Sequence, residues 1–380
     1  MKKIRLGVLA LITAAALLLP AFPASAEGLE VTAPSAVLME ASTGQVLFEK
    51  EAHQQRPCAS ITKVMTLCLT FEAIDSGRLS LDQTLTASAH AASMGGSDIW
   101  LEEGESMTVD DLLKATVIMS ANDAAVVLAE AVAGSEDAFV AKMNEKALSL
   151  GMNDTTFKNC NGLDEEGHLT SAYDVALMSR ELIRHEKIFD YTLTWMDSVR
   201  DGATQLVNTN KLIRTYQGIT GLKTGTTGQA GSCITATAQR DDLELIAVVL
   251  GADSTEHRFQ DAAALLDYGF ANFENVTAPA PENAPTSLPV TGGAEETVKL
   301  EYAAPQKLLV QKGEGGALTA ELELPQTLAA PLAAGQQVGT VTVRSGETVL
   351  GSWPVTAAGE VQPMTVRLGF ERLLAALTAH

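Results

Sequence analysis

The sequence predicts an α+β protein: an antiparallel sheet carrying a helical lobe, followed by a small all-β domain. Three observations predict it. The chain has 380 residues, 46% of them hydrophobic, enough for one large core and a smaller second one. Hairpin patterns flank a long stretch of helical periodicities, so the two ends of that region are expected to share one sheet. A proline- and glycine-rich stretch then gives way to six short apolar runs separated by turn residues.

The elements follow in order. Lys2, Lys3 and Arg5 precede an apolar run from Leu6 to Phe22, and Ala24-Ser25-Ala26 closes it with small residues at the spacing a signal peptidase needs. Residues 1–26 are therefore read as a secretory signal peptide. The first domain is expected over 27–276, beginning with a hairpin of strands 35–40 and 45–49. Ser60 opens a helix with Val64, Leu67, Cys68 and Phe71 on its apolar side, and Gly77 ends it. Thr108 caps a helix reaching about Met119, residues 124–133 form an alanine-rich helix, and Ser135 and Ser171 start two more. Strands 232–239 and 243–250 surround Arg240-Asp241-Asp242, and an amphipathic helix over 259–273 closes the domain.

Pro279, Pro281, Pro285 and Pro289, with Gly292-Gly293, mark a linker over 277–293. The β-rich domain is expected over 294–366, its strands at 297–302, 307–311, 318–324, 337–344, 347–354 and 361–366. In the tail, 367–380, Leu368, Phe370, Leu373, Leu374 and Leu377 lie near helical spacing. That suits an amphipathic helix that either packs on its own domain or makes a weak peripheral membrane contact.

The formal charge of −21 becomes about −24 once Lys2, Lys3 and Arg5 leave with the leader. Nucleic acid is thereby disfavoured as a partner, because binding it needs a cationic footprint. A local lysine or arginine can still hold an anionic small substrate. Cys58, Cys68, Cys160 and Cys233 are too few for a disulfide scaffold and match no metal spacing, so no metal is expected. Their apolar contexts read as buried free thiols, with a Cys160–Cys233 pair as the alternative.

Three separated motifs carry chemistry. Ser60-x-x-Lys63 sets a hydroxyl and an amine about one turn apart on one helical face, as a nucleophile and its proton acceptor require. By itself the pair reads equally well as a helix cap and a solvated lysine. The neighbouring core residues argue for a buried helix, where an ammonium must be paired or lose its proton. Ser120-x-Asn122 and Lys223-Thr224-Gly225 are the other two.

In order and type the three resemble the signature of the penicillin-recognising serine acyltransferases, the transpeptidase and β-lactamase-like fold. Within that superfamily the chain resembles the low-molecular-weight penicillin-binding proteins, D-alanyl-D-alanine carboxypeptidases with a β-rich C-terminal domain. Ser120-Ala121-Asn122-Asp123, Asn159-x-x-Gly162-Leu163, Ser171-Ala172-x-Asp174, Gly221-Leu222 and Leu266-Asp267-Tyr268-Gly269-Phe270 extend the likeness. It implies that Ser60 attacks the carbonyl between two terminal D-alanines of a peptidoglycan stem pentapeptide, and that β-lactam antibiotics acylate the same hydroxyl. Lys63 is then the general base, Ser120 the proton relay and Asn122 a positioning group. Lys223 supplies electrostatics and, with Thr224, Gly225 and Thr226, binds the substrate. The backbone N–H groups of Ser60 and Thr226 form the oxyanion hole. For a lysine to act near neutral pH its pKa must fall to about 7, roughly 4 to 5 kcal/mol of differential interaction, which burial and Lys223 as a second cation could supply. No organic cofactor is implied. Together with the leader, the likeness places the mature chain in the cell wall or on the outer face of the membrane.

Two departures stand out: Thr226 follows Gly225 where some relatives carry histidine, and Thr220-Gly221 replaces an acidic residue and glycine. Arg240 is expected beside a hairpin turn in a structural role, and Cys58 is expected to pack. Three other readings remain: a D,D-endopeptidase on cross-links, a serine β-lactamase, and a non-catalytic wall-binding protein. Against the β-lactamase, Glu165 and Glu166 are not in the E-x-x-L-N setting used for water activation.

Overall fold

The computed structural model describes residues 29–304 and 306–378. The expected signal peptide lies outside them. The chain divides into two compact units that meet near residue 275 in sequence.

The first unit is built on a five-stranded antiparallel sheet. Its order is Val46–Lys50, Ser35–Glu40, Leu243–Ala252, Gly231–Arg240 and Ile219–Thr227, so the first hairpin is zipped onto the last three strands. Leu38 pairs with Ala247, and Gly225 with Cys233. The tight turn of the first hairpin is held by Glu40, whose carboxylate accepts hydrogen bonds from the N–H and hydroxyl groups of Ser42 and Thr43.

Alternation along the strands gives the sheet two apolar faces. Val37, Met39, Ile246 and Val248 join the large core that includes Val175, Ala176 and Met178 of the helix Ala172–Leu182. On the opposite face, the helix Thr255–Asn272 lies so close that a Cβ on Gly269 would stand 2.5 Å from Leu245 Cδ1 and 3.0 Å from Leu38 Cδ2. The helix Lys63–Asp75 sits at the centre of the unit: only three of its thirteen residues escape burial, so it has no solvent face. Around it pack Asn122–Ala133 and Glu136–Ser149, the latter capped by the Ser135 hydroxyl, which accepts the Ala138 N–H.

Several details differ from the sequence expectations. Ser60 lies in a 3₁₀ turn, Ala59–Thr62, and the α-helix starts only at Lys63. The helix from Val109 becomes a π turn over Ala115–Met119. A hairpin of Met196–Val199 and Thr204–Val207, absent from the sequence reading, is present.

The second unit carries a six-stranded sheet ordered Leu318–Glu323, Gln337–Ser345, Thr348–Ala357, Thr297–Tyr302, Ser287–Thr291 and Leu328–Ala329. The expected linker therefore contains a strand: Leu288 and Val290 alternate with exposed Pro289 and are buried in the small cores. Short-period burial outweighs proline content here, because the neighbouring strand Leu328–Ala329 pairs only at Val290 and Thr291 and asks for no N–H from Pro289. The expected strand 361–366 is not formed. Val361 and Pro363 make isolated bridges, and a helix runs over Val366–Thr378.

Candidate active site

Backbone geometry sets the position of Ser60. Ala59 adopts φ +51°, a left-handed conformation that costs about 1–3 kcal/mol for a residue with a Cβ. Two glycines make room for this bend. A Cβ on Gly162 would stand 2.0 Å from the Ala59 carbonyl oxygen, and one on Gly225 would stand 2.7 Å from Cys58 O and 2.9 Å from Ser60 N. Gly225 therefore lets the strand Ile219–Thr227 lie directly against the Ser60 amide. Beneath the turn, His168 Nδ1 accepts the Lys158 N–H, which leaves Nε2–H to donate to Thr62 Oγ1 at 2.8 Å. Burial holds this imidazole down to a pKa of about 4, so it stays neutral.

Lys63 is fully buried. Its Nζ stands 3.0 Å from Ser60 Oγ, 2.5 Å from Asn122 Oδ1 and 2.7 Å from the Asn161 carbonyl. The Asn122 amide is oriented by donating through Nδ2 to Gly95 O. Burial lowers the Lys63 pKa to about 7, against the opposing pull of Asp98 and Asp123. At neutral pH much of the amine is thus uncharged and able to take the Ser60 proton along the 3.0 Å line.

Ser120 lies two residues before Asn122, the contact of Lys63. The π turn ends on Ser120 at φ +65°, and the Ala121 N–H reaches back to Ala115 O. Its hydroxyl is buried and has no hydrogen-bond partner among the described residues, so it is poised for a group not present in the folded chain. Lys223 is also buried, with Nζ donating to Thr224 O at 3.0 Å. Burial lowers its pKa strongly, and the charges of Lys63 and Arg258 push the same way. Burial, rather than a second cation, is the main reason Lys63 is lowered.

The structure brings Ser60, Lys63, Asn122, Lys223 and Gly225 together, and it sorts the two threonines. Thr224 Oγ1 is committed to Thr209 Oγ1 at 2.7 Å, whereas Thr226 is exposed. Three contributors escaped the sequence reading. The Asn161 carbonyl was invisible because any residue supplies one. Asp98 sits buried beside the second motif, one oxygen accepting the Asp123 N–H and Oδ1 without a partner among the described residues. Arg258, on the helix behind the sheet, donates through Nη1 to Gly225 O at 3.1 Å and Thr226 Oγ1 at 2.9 Å. Its signal was a lone arginine in an apolar stripe.

The remaining candidates fall outside the chemistry. Arg240 stacks on Phe270 and Tyr216 and pairs with Asp267. All four cysteines are free and buried, so Cys160 and Cys233 are not paired. Burial pushes the Cys58 thiol up to about 12, which removes it as a nucleophile. Glu165 and Glu166 line a cavity of about 350 Å³ beside Cys58 and Ala59, while the polar contacts of Lys63 are to Ser60, Asn122 and Asn161.

Comparison with known proteins finds relatives of both units. Residues 21–254 match the family described as D-alanyl-D-alanine carboxypeptidase, and residues 273–363 match the C-terminal domain of penicillin-binding protein 5. The chain is 41% identical over 334 residues to D-alanyl-D-alanine carboxypeptidase DacF of Bacillus subtilis (strain 168), covering 87% of this chain and 86% of that one. Penicillin-binding protein 5 from Haemophilus influenzae superposes with a TM-score of 0.79 at 28% identity, over 88% of this chain and 98% of the other. Penicillin-binding protein D2 from Listeria monocytogenes, solved in its ampicillin-bound form, superposes with a TM-score of 0.59 at 35% identity, over 64% of this chain and 99% of the other. Motifs, fold and domain order converge: the chain belongs to the low-molecular-weight penicillin-binding proteins, as a serine-type D-alanyl-D-alanine carboxypeptidase.

Proposed function

We propose that this carboxypeptidase works through an acyl-enzyme on Ser60 with Lys63 as its base. The observation that carries the reading is the buried amine 3.0 Å from the serine hydroxyl, with a pKa of about 7. Neutral Lys63 takes the Ser60 proton as Oγ attacks the carbonyl between the terminal D-alanines, and the C–O bond forms while the oxyanion is met by the Ser60 and Thr226 N–H groups. The proton returns through Ser120 to the leaving nitrogen, the C–N bond breaks, and D-alanine departs. Water then releases the shortened stem peptide with Lys63 again as base. Thr226 hydroxyl, Arg258 and Lys223 hold the terminal carboxylate. A β-lactam carbonyl enters the same attack, but its leaving group stays tethered in the adduct.

Residues 1–26 export the protein, which acts in the cell wall or at the outer face of the membrane. The tail helix presents Val366, Phe370, Leu374 and Leu377 to solvent, which supports a weak peripheral membrane contact. No described helix is long and apolar enough to cross a membrane.

Incubation with a diacyl-Lys-D-Ala-D-Ala peptide and with cross-linked muropeptides tests the reaction. Free D-alanine from the first is expected; cleavage of the second alone would make the enzyme an endopeptidase. Mass spectrometry after penicillin treatment should find the adduct on Ser60, and an adduct elsewhere would overturn the mechanism.

A further inference from the structure

Trp100 is an oddity that the reaction leaves unexplained. The indole is 73% exposed, yet its backbone sits at φ +55°, where bulky side chains are rarely found. The chain around it is anything but loose. Ile99 and Leu101 are buried on either side, and their N–H groups both donate to the Asp123 carboxylate at 3.0–3.2 Å. From the other side Arg200 donates to Ile99 O at 2.7 Å and to Trp100 O at 3.4 Å, while Glu105 and Thr204 hold its guanidinium. A strained, solvent-facing tryptophan between two anchored neighbours is a preorganised aromatic surface.

The same loop is bolted to the reaction centre. Asn122 donates its N–H to Ser97 O and its side-chain amide to Gly95 O, and a Cβ on Gly96 would stand 3.0 Å from Asn122 Nδ2. Asp123, which clamps the residues flanking Trp100, directly follows Asn122, the contact of Lys63. The backbone that carries the tryptophan is therefore tied on both sides to the second motif, whose Asn122 contacts Lys63.

The chemistry of the loop selects a ligand. Glu102 and Glu103, two and three residues after Trp100 in the chain, are exposed, and Asp98 Oδ1, two residues before it, is buried with no partner among the described residues. An aromatic face among carboxylates attracts a cation and repels the carboxylates of a stem peptide. The substrate class offers one cation beyond the scissile bond: the free side-chain ammonium of the diamino residue that precedes D-Ala-D-Ala.

We propose that Trp100 is an aromatic platform that binds this ammonium and thereby selects stem peptides whose diamino residue is not yet acylated. The proposal rests on the D-Ala-D-Ala carboxypeptidase reading and names the residue that reads the third stem position. The test compares release of D-alanine from Nα-acetyl-L-Lys-D-Ala-D-Ala and from its Nα,Nε-diacetyl form by wild type, Trp100→Ala and Trp100→Phe, with penicillin acylation of Ser60 measured in each. Wild type should prefer the free ammonium. Trp100→Ala should lose about 3- to 30-fold in kcat/KM on that peptide, mostly through KM, and little on the diacetyl peptide. Trp100→Phe should retain most of the preference, and penicillin acylation should be unchanged throughout. Equal losses on both peptides, or no loss on either, would overturn it, as would a loss confined to a disaccharide-bearing pentapeptide, which would indicate sugar stacking. Failure of wild type to release D-alanine from any peptide would instead strike the carboxypeptidase reading.

Discussion

The two units of this chain handle polar groups in opposite ways. Among the described residues, the polar and charged residues buried as a whole lie between Ser35 and Asp261, in the first unit. The second unit is packed by aliphatic clusters such as Leu288, Leu300, Val343 and Val355; Asn275 Oδ1 is buried there, but among the described residues none of its polar or charged residues is buried as a whole. Backbone strain is distributed likewise: among the described non-glycine residues at positive φ, only Asn283 belongs to the second unit. Burying Lys63, Lys223 and Arg258 costs desolvation that an apolar core avoids. Their retention at one place marks where stability is given up for reactivity, and the β-rich unit shows what the chain does when no chemistry is asked of it.

The contrast can be broken most severely at Lys63. Lys63→Met keeps the volume and removes the base, so penicillin acylation and D-alanine release should fall about 100- to 10,000-fold while the fold survives. A variant retaining near-wild-type acylation would move the base elsewhere. Almost as large is the effect expected of Gly162→Ala, whose Cβ has no room beside Ala59 O at φ +86°. It should cost about 1–3 kcal/mol in denaturant melts and slow acylation with it. Val343→Ala in the second unit should cost a similar amount, about 1–3 kcal/mol, and leave the acylation rate alone.

The pH dependence sharpens the comparison further. Because Lys63 must be neutral, the acylation rate should climb through pH about 7 and level off above it. The unfolded chain's lysine keeps its proton to its ordinary value near 10.5, so between about 7 and 10.5 the folded state binds fewer protons. Stability should therefore gain with rising pH across that window, and Lys63→Met should reduce the gain to the part that buried Lys223 contributes. Arg258→Gln should raise KM for a carboxylate-ended peptide roughly tenfold, the value of a charge-assisted hydrogen bond. Arg240→Ala, on the outer face of the same sheet, should change activity less than about twofold, within the range of surface pairs.

Much of this was readable from residue order. Ser60 and Lys63 stand out by spacing, one helical turn apart, whereas Ser120, Asn122 and Lys223 are picked out by the order and type of motifs that resemble a known signature. The hairpin-helices-hairpin order implied a shared sheet, since alternating apolar runs must pair with something. Where local pattern and packing compete, the reading failed: proline content argued for a linker at 277–293, but burial of Leu288 and Val290 makes part of it a strand.

What the sequence by itself determined is the class of fold, which follows from periodicities of two and three to four residues, and the candidate side chains, which the resemblance of three motifs to a known signature picked out. What only the tertiary structure decided is the state of those side chains. The pKa of Lys63 depends on how completely water is excluded from it, the freedom of Ser120 on a π turn, and the roles of Asn161 and Arg258 on contacts 98 and 33 residues away in the chain. Desolvation and long-range hydrogen bonding are properties of the packed molecule, and no local pattern encodes them.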